Sequence, residues 1–202
     1  MRPATRSSRA TRLRLPAAVA LLRSYAAVAF RSRATGPGER AVFGVINSAG
    51  QRPELRVAQQ WGVPWTLPLV AALAAVRRRP RHALAALASL GLTKGAEVAT
   101  KRLRPRPRPV YVQPTALRDD APVEGGSMPS GHAAIAACAT LLLAPLVPRP
   151  VTAAAAAATG LTALARIQQG AHEPLDAAAG LLLGSGVGLL ALETLERCYP
   201  GL

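Results

Sequence analysis

Twenty consecutive residues, Val57 to Val76, carry no charged side chain, and four more apolar runs follow at 83–99, 133–148, 150–165 and 177–192. The first is about long enough to cross a bilayer core of roughly 30 Å. The others, ~16 residues or ~24 Å of helix each, reach that thickness only if flanking turns extend them. The run at 83–99 contains Lys94 and Glu97, three apart on one helical face, where they can neutralise each other inside a bundle. A soluble bundle built from five such runs would have too little polar surface. Half the residues are hydrophobic, but only 3% are aromatic, and alanine and leucine dominate, which suits packed helices better than sheets. The expected fold is all-α: an integral membrane helical bundle of five transmembrane helices plus an N-terminal interfacial or marginal helix.

The formal net charge is +15, and residues 1–60 hold eleven arginines against Glu39 and Glu54. A nucleic-acid partner would explain this basic end but not the apolar runs, so the bilayer is the expected partner. MRPATRSSRATRLRL reads as disordered and basic. LPAAVALLRSYAAVAF at 15–30, interrupted by Arg23 and without an obvious cleavage site, reads as the interfacial or marginal helix. Cys138 and Cys198 make neither a disulfide framework nor a metal site, and Cys138 is expected to be a small buried hydrophobe.

RRRPRH at 77–82 joins the first two runs and, by the positive-inside rule, belongs in the cytoplasm. The connections at 100–131 and 166–176 then both lie on the outer face. KRLRPRPRP is itself basic, so this orientation requires that its cations serve a ligand. His82, in the arginine-rich loop, is expected at the surface.

Three clusters occupy the two outer connections. Lys101 is one of only two lysines, and Arg108-Pro109 follows after a gap of six. Lysine offers a compact point charge, whereas arginine offers a flat fork matched to phosphate oxygens. In MPSGH, at 128–132, Pro129 can start a helix and Ser130 supplies a hydroxyl. Gly131 lets helix N–H groups approach an anion, which places His132 to donate a proton. In ARIQQGAHEPLD, Arg166 precedes His172 by six positions, and Asp176 follows four later. Asp176 can hold one ring nitrogen while the other attacks. Each cluster alone also reads as an ordinary basic loop, capped helix start or polar helix edge.

In this order the motifs Lys-x6-Arg-Pro, Pro-Ser-Gly-His and Arg-x5-His-x3-Asp resemble the type 2 phosphatidic acid phosphatase superfamily, which includes vanadium haloperoxidases, over roughly residues 90–190. Ala165 stands where that family commonly has serine, which removes one possible hydrogen bond and no catalytic group. FGVINSAGQRPEL, at 43–55, resembles the family's lead-in to its first span. The resemblance implies that His172 is a phosphoryl-accepting nucleophile, Asp176 orients it, and His132 protonates the leaving group. It also implies that Lys101, Arg108 and Arg166 bind the equatorial oxygens with Ser130 and the Gly131 N–H. Such a site works by positioning and charge stabilisation. Its cations can replace a divalent metal, so no metal or cofactor is expected, and Asp119, Asp120 and Glu124 read as a solvated loop.

The expected organisation is a basic N-terminal segment over 1–56, a transmembrane phosphatase domain over 57–193 and a short tail over 194–202. A phosphate site at the end of apolar helices implies a lipid phosphate or diphosphate substrate: polyprenyl phosphate or diphosphate, phosphatidic acid or phosphatidylglycerol phosphate. The arginine bias and heavy alanine use fit a bacterial genome of high GC content. A haloperoxidase of this superfamily is usually soluble and larger. A non-catalytic membrane protein that binds anionic lipid through its basic face is the alternative from another class.

Overall fold

The computed structural model describes residues 6–50, 52–118 and 121–198, and its regular elements are all helical. They are α1 (Arg6–Arg31), α2 (Pro37–Ser48), α3 (Pro53–Ala58), α4 (Thr66–Val76), α5 (Pro80–Leu103), α6 (Gly131–Leu143), α7 (Arg149–Gln168) and α8 (Pro174–Cys198). Proline opens α2, α3, α5 and α8, where its fixed φ suits the first turn and its missing N–H costs nothing. The apolar runs at 83–99, 133–148, 150–165 and 177–192 fall in α5, α6 with its 3₁₀ extension, α7 and α8. Flanking turns lengthen those in α5, α7 and α8 but not the one in α6, which with its extension covers only Gly131–Leu146. α5, α7 and α8 have 24, 20 and 25 residues, ~30–38 Å at 1.5 Å per residue.

Among the described residues, three helices are long and apolar enough to cross a membrane: Leu13–Arg31, Arg149–Gln168 and Pro174–Cys198. Two expectations change here. Residues 6–15 are helical rather than disordered, and α1 is one continuous helix packed along α8. Leu22 of α1 lies where a side chain at Gly186 would sit, and exposed Arg23 points away from that contact. The uncharged run 57–76 is not one helix: α3 ends at Ala58, a 3₁₀ turn follows, and α4 has only 11 residues. Gln59, Gly62 and Pro64 break the run, and Trp61 Nε1 donates to Thr140 Oγ1 at 2.9 Å.

The centre of the bundle is α8 against α6. Gly180, Gly184 and Gly188 recur every fourth residue on α8, and a Cβ at any of them would meet Ser130, Ala133, Ala134, Cys138 or Leu141. In α6, Ala133, Ala134, Ala136, Ala137, Ala139 and Cys138 are all buried, as expected of Cys138. Small residues on both helices let the backbones approach closely, the usual way membrane helices gain packing contacts.

Arg77, Arg78, Arg79 and Arg81 are exposed at the α4–α5 turn, most of the length of α5 (about 30 Å along the helix) from Lys101. His82 corrects the expectation of a surface residue. It is buried because its ring turns inward and Nε2 donates to the Leu142 carbonyl near the end of α6, at 2.7 Å. Lys94 and Glu97 pair as expected, at 2.5 Å. The expected solvated-loop residues Asp119 and Asp120 lie outside the described residues, and Glu124 is exposed.

Candidate active site

The motif residues gather at the end of the bundle opposite the arginine turn. The α7–α8 connection is a Schellman turn: Gly170 N–H reaches the Ile167 carbonyl at 3.0 Å, and Ala171 N–H reaches that of Arg166 at 3.2 Å. Gly170 has φ +78°, and a Cβ there would come 2.7 Å from Thr115 Cγ2, so glycine is required. The turn brings the His172 N–H back to the same Arg166 carbonyl, at 3.2 Å. Pro174 then opens α8, and Asp176, in its first turn, accepts the Glu173 N–H through Oδ2 at 2.8 Å, one half of a capping box.

Asp176 is fully buried and heavily engaged. Oδ1 accepts from Arg106 Nη1 at 2.7 Å, Oδ2 accepts from the Ser127 hydroxyl, and the Asp176 carbonyl accepts the Ser130 N–H at 2.9 Å. This last bond fixes the start of α6 against the first turn of α8. His172 Nδ1 faces Asp176 Oδ2 at 3.8 Å, beyond hydrogen-bond reach in this state. Nδ1 has no other partner. Burial is the main reason the imidazole pKa falls to about 4; nearby Arg166 and Lys101 add to this, and Asp176 opposes it. At neutral pH the ring is uncharged and keeps a lone pair.

The other predicted residues surround this pair. Ser130 precedes the first turn of α6, and its buried hydroxyl has no hydrogen-bond partner, which leaves it available to an oxyanion. A side chain at Gly131 would collide with the Glu97 carboxylate. Half-buried His132 follows in the same turn. Lys101 Nζ bonds Glu97 Oε1 at 2.7 Å and keeps two further donors. Buried Arg108 joins two loops, with Nε to the Glu124 carbonyl at 2.7 Å and Nη1 to that of Ala171 at 2.9 Å. This anchors it beside His172. Burial lowers the Arg108 pKa from its usual range, against the pull of Asp176 and Glu97. Arg166, also buried, donates to Gln169 Oε1 at 2.7 Å and Gln59 Oε1 at 3.1 Å.

Sequence reasoning missed a second tier of polar groups: buried Thr35, Arg106, Ser127 and Glu173, with half-buried Glu39 and Gln113. Arg106 links Glu39, at 2.6 Å, to Asp176. Burial disfavours its charge, but the two carboxylates outweigh this and raise its pKa. Glu173 Oε1 accepts from Gln113 Nε2 at 2.6 Å, while burial and then Glu39 and Asp176 raise its pKa to about 7. One signal was available: Glu39 is one of two acids in the first sixty residues and sits at a helix start.

The PAP2 superfamily profile matches residues 82–199. Over 163 residues the chain is 32% identical to decaprenylphosphoryl-5-phosphoribose phosphatase of Mycobacterium tuberculosis, a match covering 76% of this chain and 88% of that protein. Two solved structures share the fold, each at 22% identity. LpxE of Aquifex aeolicus has a TM-score of 0.65, covering 75% of this chain and 93% of its own. The transmembrane PAP2 type phosphatidylglycerolphosphate phosphatase of Bacillus subtilis has a TM-score of 0.74, covering 92% and 98%.

Proposed function

This chain belongs to the PAP2 superfamily, and from that premise we propose that it removes the terminal phosphate of a phosphorylated group carried on a polyprenyl lipid. It is a multi-pass membrane phosphatase of lipid phosphate esters. The polyprenyl assignment is supported by the mycobacterial relative, whose own substrate is a decaprenyl-linked phosphoribose. A long tail can stay in the bilayer while the headgroup enters the polar end of the bundle.

The observation that carries the mechanism is the His172–Asp176 pair. Because Nδ1 faces Asp176 Oδ2 at 3.8 Å, Nε2 is the ring nitrogen left to attack. Nε2 bonds to phosphorus as the ester P–O bond breaks, and His132 gives its proton to the leaving alkoxide. The phosphorylated ring is positively charged, and its Nδ1–H closes on the fixed Asp176 Oδ2 and donates a hydrogen bond to it. His132 then takes a proton from water, which attacks phosphorus, breaks the P–N bond and frees inorganic phosphate. Lys101, Arg108 and Arg166, with Ser130 and the Gly131 N–H, stabilise the charge on the three equatorial oxygens. The enzyme sits in the cell membrane, with the arginine turn at 77–81 in the cytoplasm and the active site on the outer face.

The test is phosphate release by detergent-solubilised protein, with EDTA, over a panel of lipids. The panel comprises a polyprenyl-phosphosugar phosphate, polyprenyl diphosphate, phosphatidic acid and phosphatidylglycerol phosphate. The expected result is the highest kcat/KM on the first and no loss to chelator. Preference for a glycerolipid would overturn the substrate assignment, and loss of turnover in EDTA would overturn the metal-independent route.

A further inference from the structure

One buried cation has no place in the mechanism so far. Arg106 is 2% exposed and lies two residues before Arg108 on the Arg-Pro strip. Carboxylates hold both ends of its fork: Asp176 Oδ1 at 2.7 Å and Glu39 Oε2 at 2.6 Å. The fork is therefore committed to protein rather than to phosphate. The other oxygen of Glu39 accepts the Leu175 N–H at 3.0 Å, so one glutamate grips both the guanidinium and the first turn of α8. Thr35 completes the contact, its hydroxyl 3.5 Å from Arg106 Nη2 and 3.4 Å from Glu173 Oε1.

Two consequences follow for Asp176. With Oδ1 held by Arg106, the carboxylate cannot rotate, and Oδ2 is the oxygen that faces His172. Without a neighbouring cation, a fully buried carboxylate would take up a proton. It could not then offset the positive ring formed when His172 is phosphorylated.

We propose that Arg106 and Glu39 form a positioning clamp that keeps Asp176 charged and its Oδ2 aimed at His172, so that Thr35 and Glu39 act as positioning residues of the site. The clamp rests on the His172–Asp176 reading above, and the experiment separates the two.

Kcat and KM are measured for Arg106→Gln, Arg106→Lys, Glu39→Gln, Asp176→Asn, the Arg106→Gln/Asp176→Asn double variant and His172→Ala, each with its thermal midpoint. Arg106→Gln is expected to lower kcat about a hundredfold with KM within about twofold, since it touches no phosphate oxygen. Arg106→Lys, with charge but no fork, recovers only part of that loss. In the double variant the Arg106 substitution adds nothing to Asp176→Asn, because its effect passes through that carboxylate. A merely structural arginine would instead multiply the two losses, which would overturn the clamp. So would wild-type kcat in Arg106→Gln beside an inactive His172→Ala. An active His172→Ala would sink the underlying reading instead. If Arg106→Gln does not fold, Glu39→Gln takes its place in the same cycle: about a tenfold kcat loss that vanishes in Asp176→Asn supports the clamp, and unchanged kcat overturns it.

Discussion

The close approach of α6 and α8 makes the site sensitive to a single methyl group placed well inside the bundle. A Cβ at Gly184 would lie 2.7 Å from the Ala134 carbonyl carbon and 2.9 Å from its Cα, and closer still to its oxygen. Carbon atoms rest at about 3.5–4.0 Å, so Gly184→Ala forces the two helices apart by roughly 1 Å at that level. Both partners are backbone, so no side-chain rotation can relieve the contact. Overpacking of this kind costs about 1–3 kcal/mol. The same displacement passes up the helices to Ser130 and Asp176, whose backbones are joined at 2.9 Å, and misplacement by ~1 Å can cost ~10²-fold in rate. The assay is the thermal midpoint and kcat/KM for lipid phosphate hydrolysis in detergent. Gly95→Ala on α5 serves as control, since a Cβ there meets nothing within 4 Å. A Gly184→Ala protein with control-like midpoint and turnover would refute the claim that this contact sets the geometry of the site.

Other outcomes follow from the turn and the buried titrating groups. Gly170→Ala must place a side chain at φ +78° and 2.7 Å from Thr115 Cγ2. It should cost at least about 1–2 kcal/mol and slow turnover, both read from the same two assays; full activity with no loss of stability would contradict the Schellman-turn account. With its pKa lowered from 6.5 to about 4, the His172 ring should stay neutral down to pH 5 by NMR of histidine-labelled protein, and protonation near 6.5 would contradict its burial. The unfolded chain then takes up this proton first, so the residue contributes a loss of stability as pH falls from 6.5 towards 4. Glu173 has the opposite sign. Its pKa is raised from 4.5 to about 7, so the unfolded state ionises first and stability falls as pH rises between those values. Because the two contributions oppose each other between pH 4.5 and 6.5, Glu173→Gln should leave the thermal midpoint rising more steeply with pH across that window, and an unchanged slope would show that the carboxyl titrates normally.

The motifs were legible because each is short and local: Ser130, Gly131 and His132 share one helix start, while Arg166, His172 and Asp176 share one turn. The glycines and alanines that join α6 to α8 were visible only as composition. Arg106 was not legible, because its partners lie 67 and 70 residues away and hydropathy carries no trace of that pairing. The run at 57–76 misled because charge was counted while uncharged breakers such as Gln59, Gly62 and Pro64 were not. Arg23 had the reverse effect: one exposed charge hid a helix that is long and apolar enough to cross. His82 reads as surface from its arginine neighbours, and only the carbonyl of Leu142, sixty residues on, explains why it turns inward.

The central claim is tested most directly by catching the phosphoryl group on the enzyme. Protein mixed with substrate labelled in the terminal phosphate is quenched in alkali within one turnover, digested, and its labelled peptide sequenced. The account predicts an alkali-stable, acid-labile label on the peptide carrying His172, absent from His172→Ala. Label on any other residue, or rapid hydrolysis with no labelled protein, would contradict it.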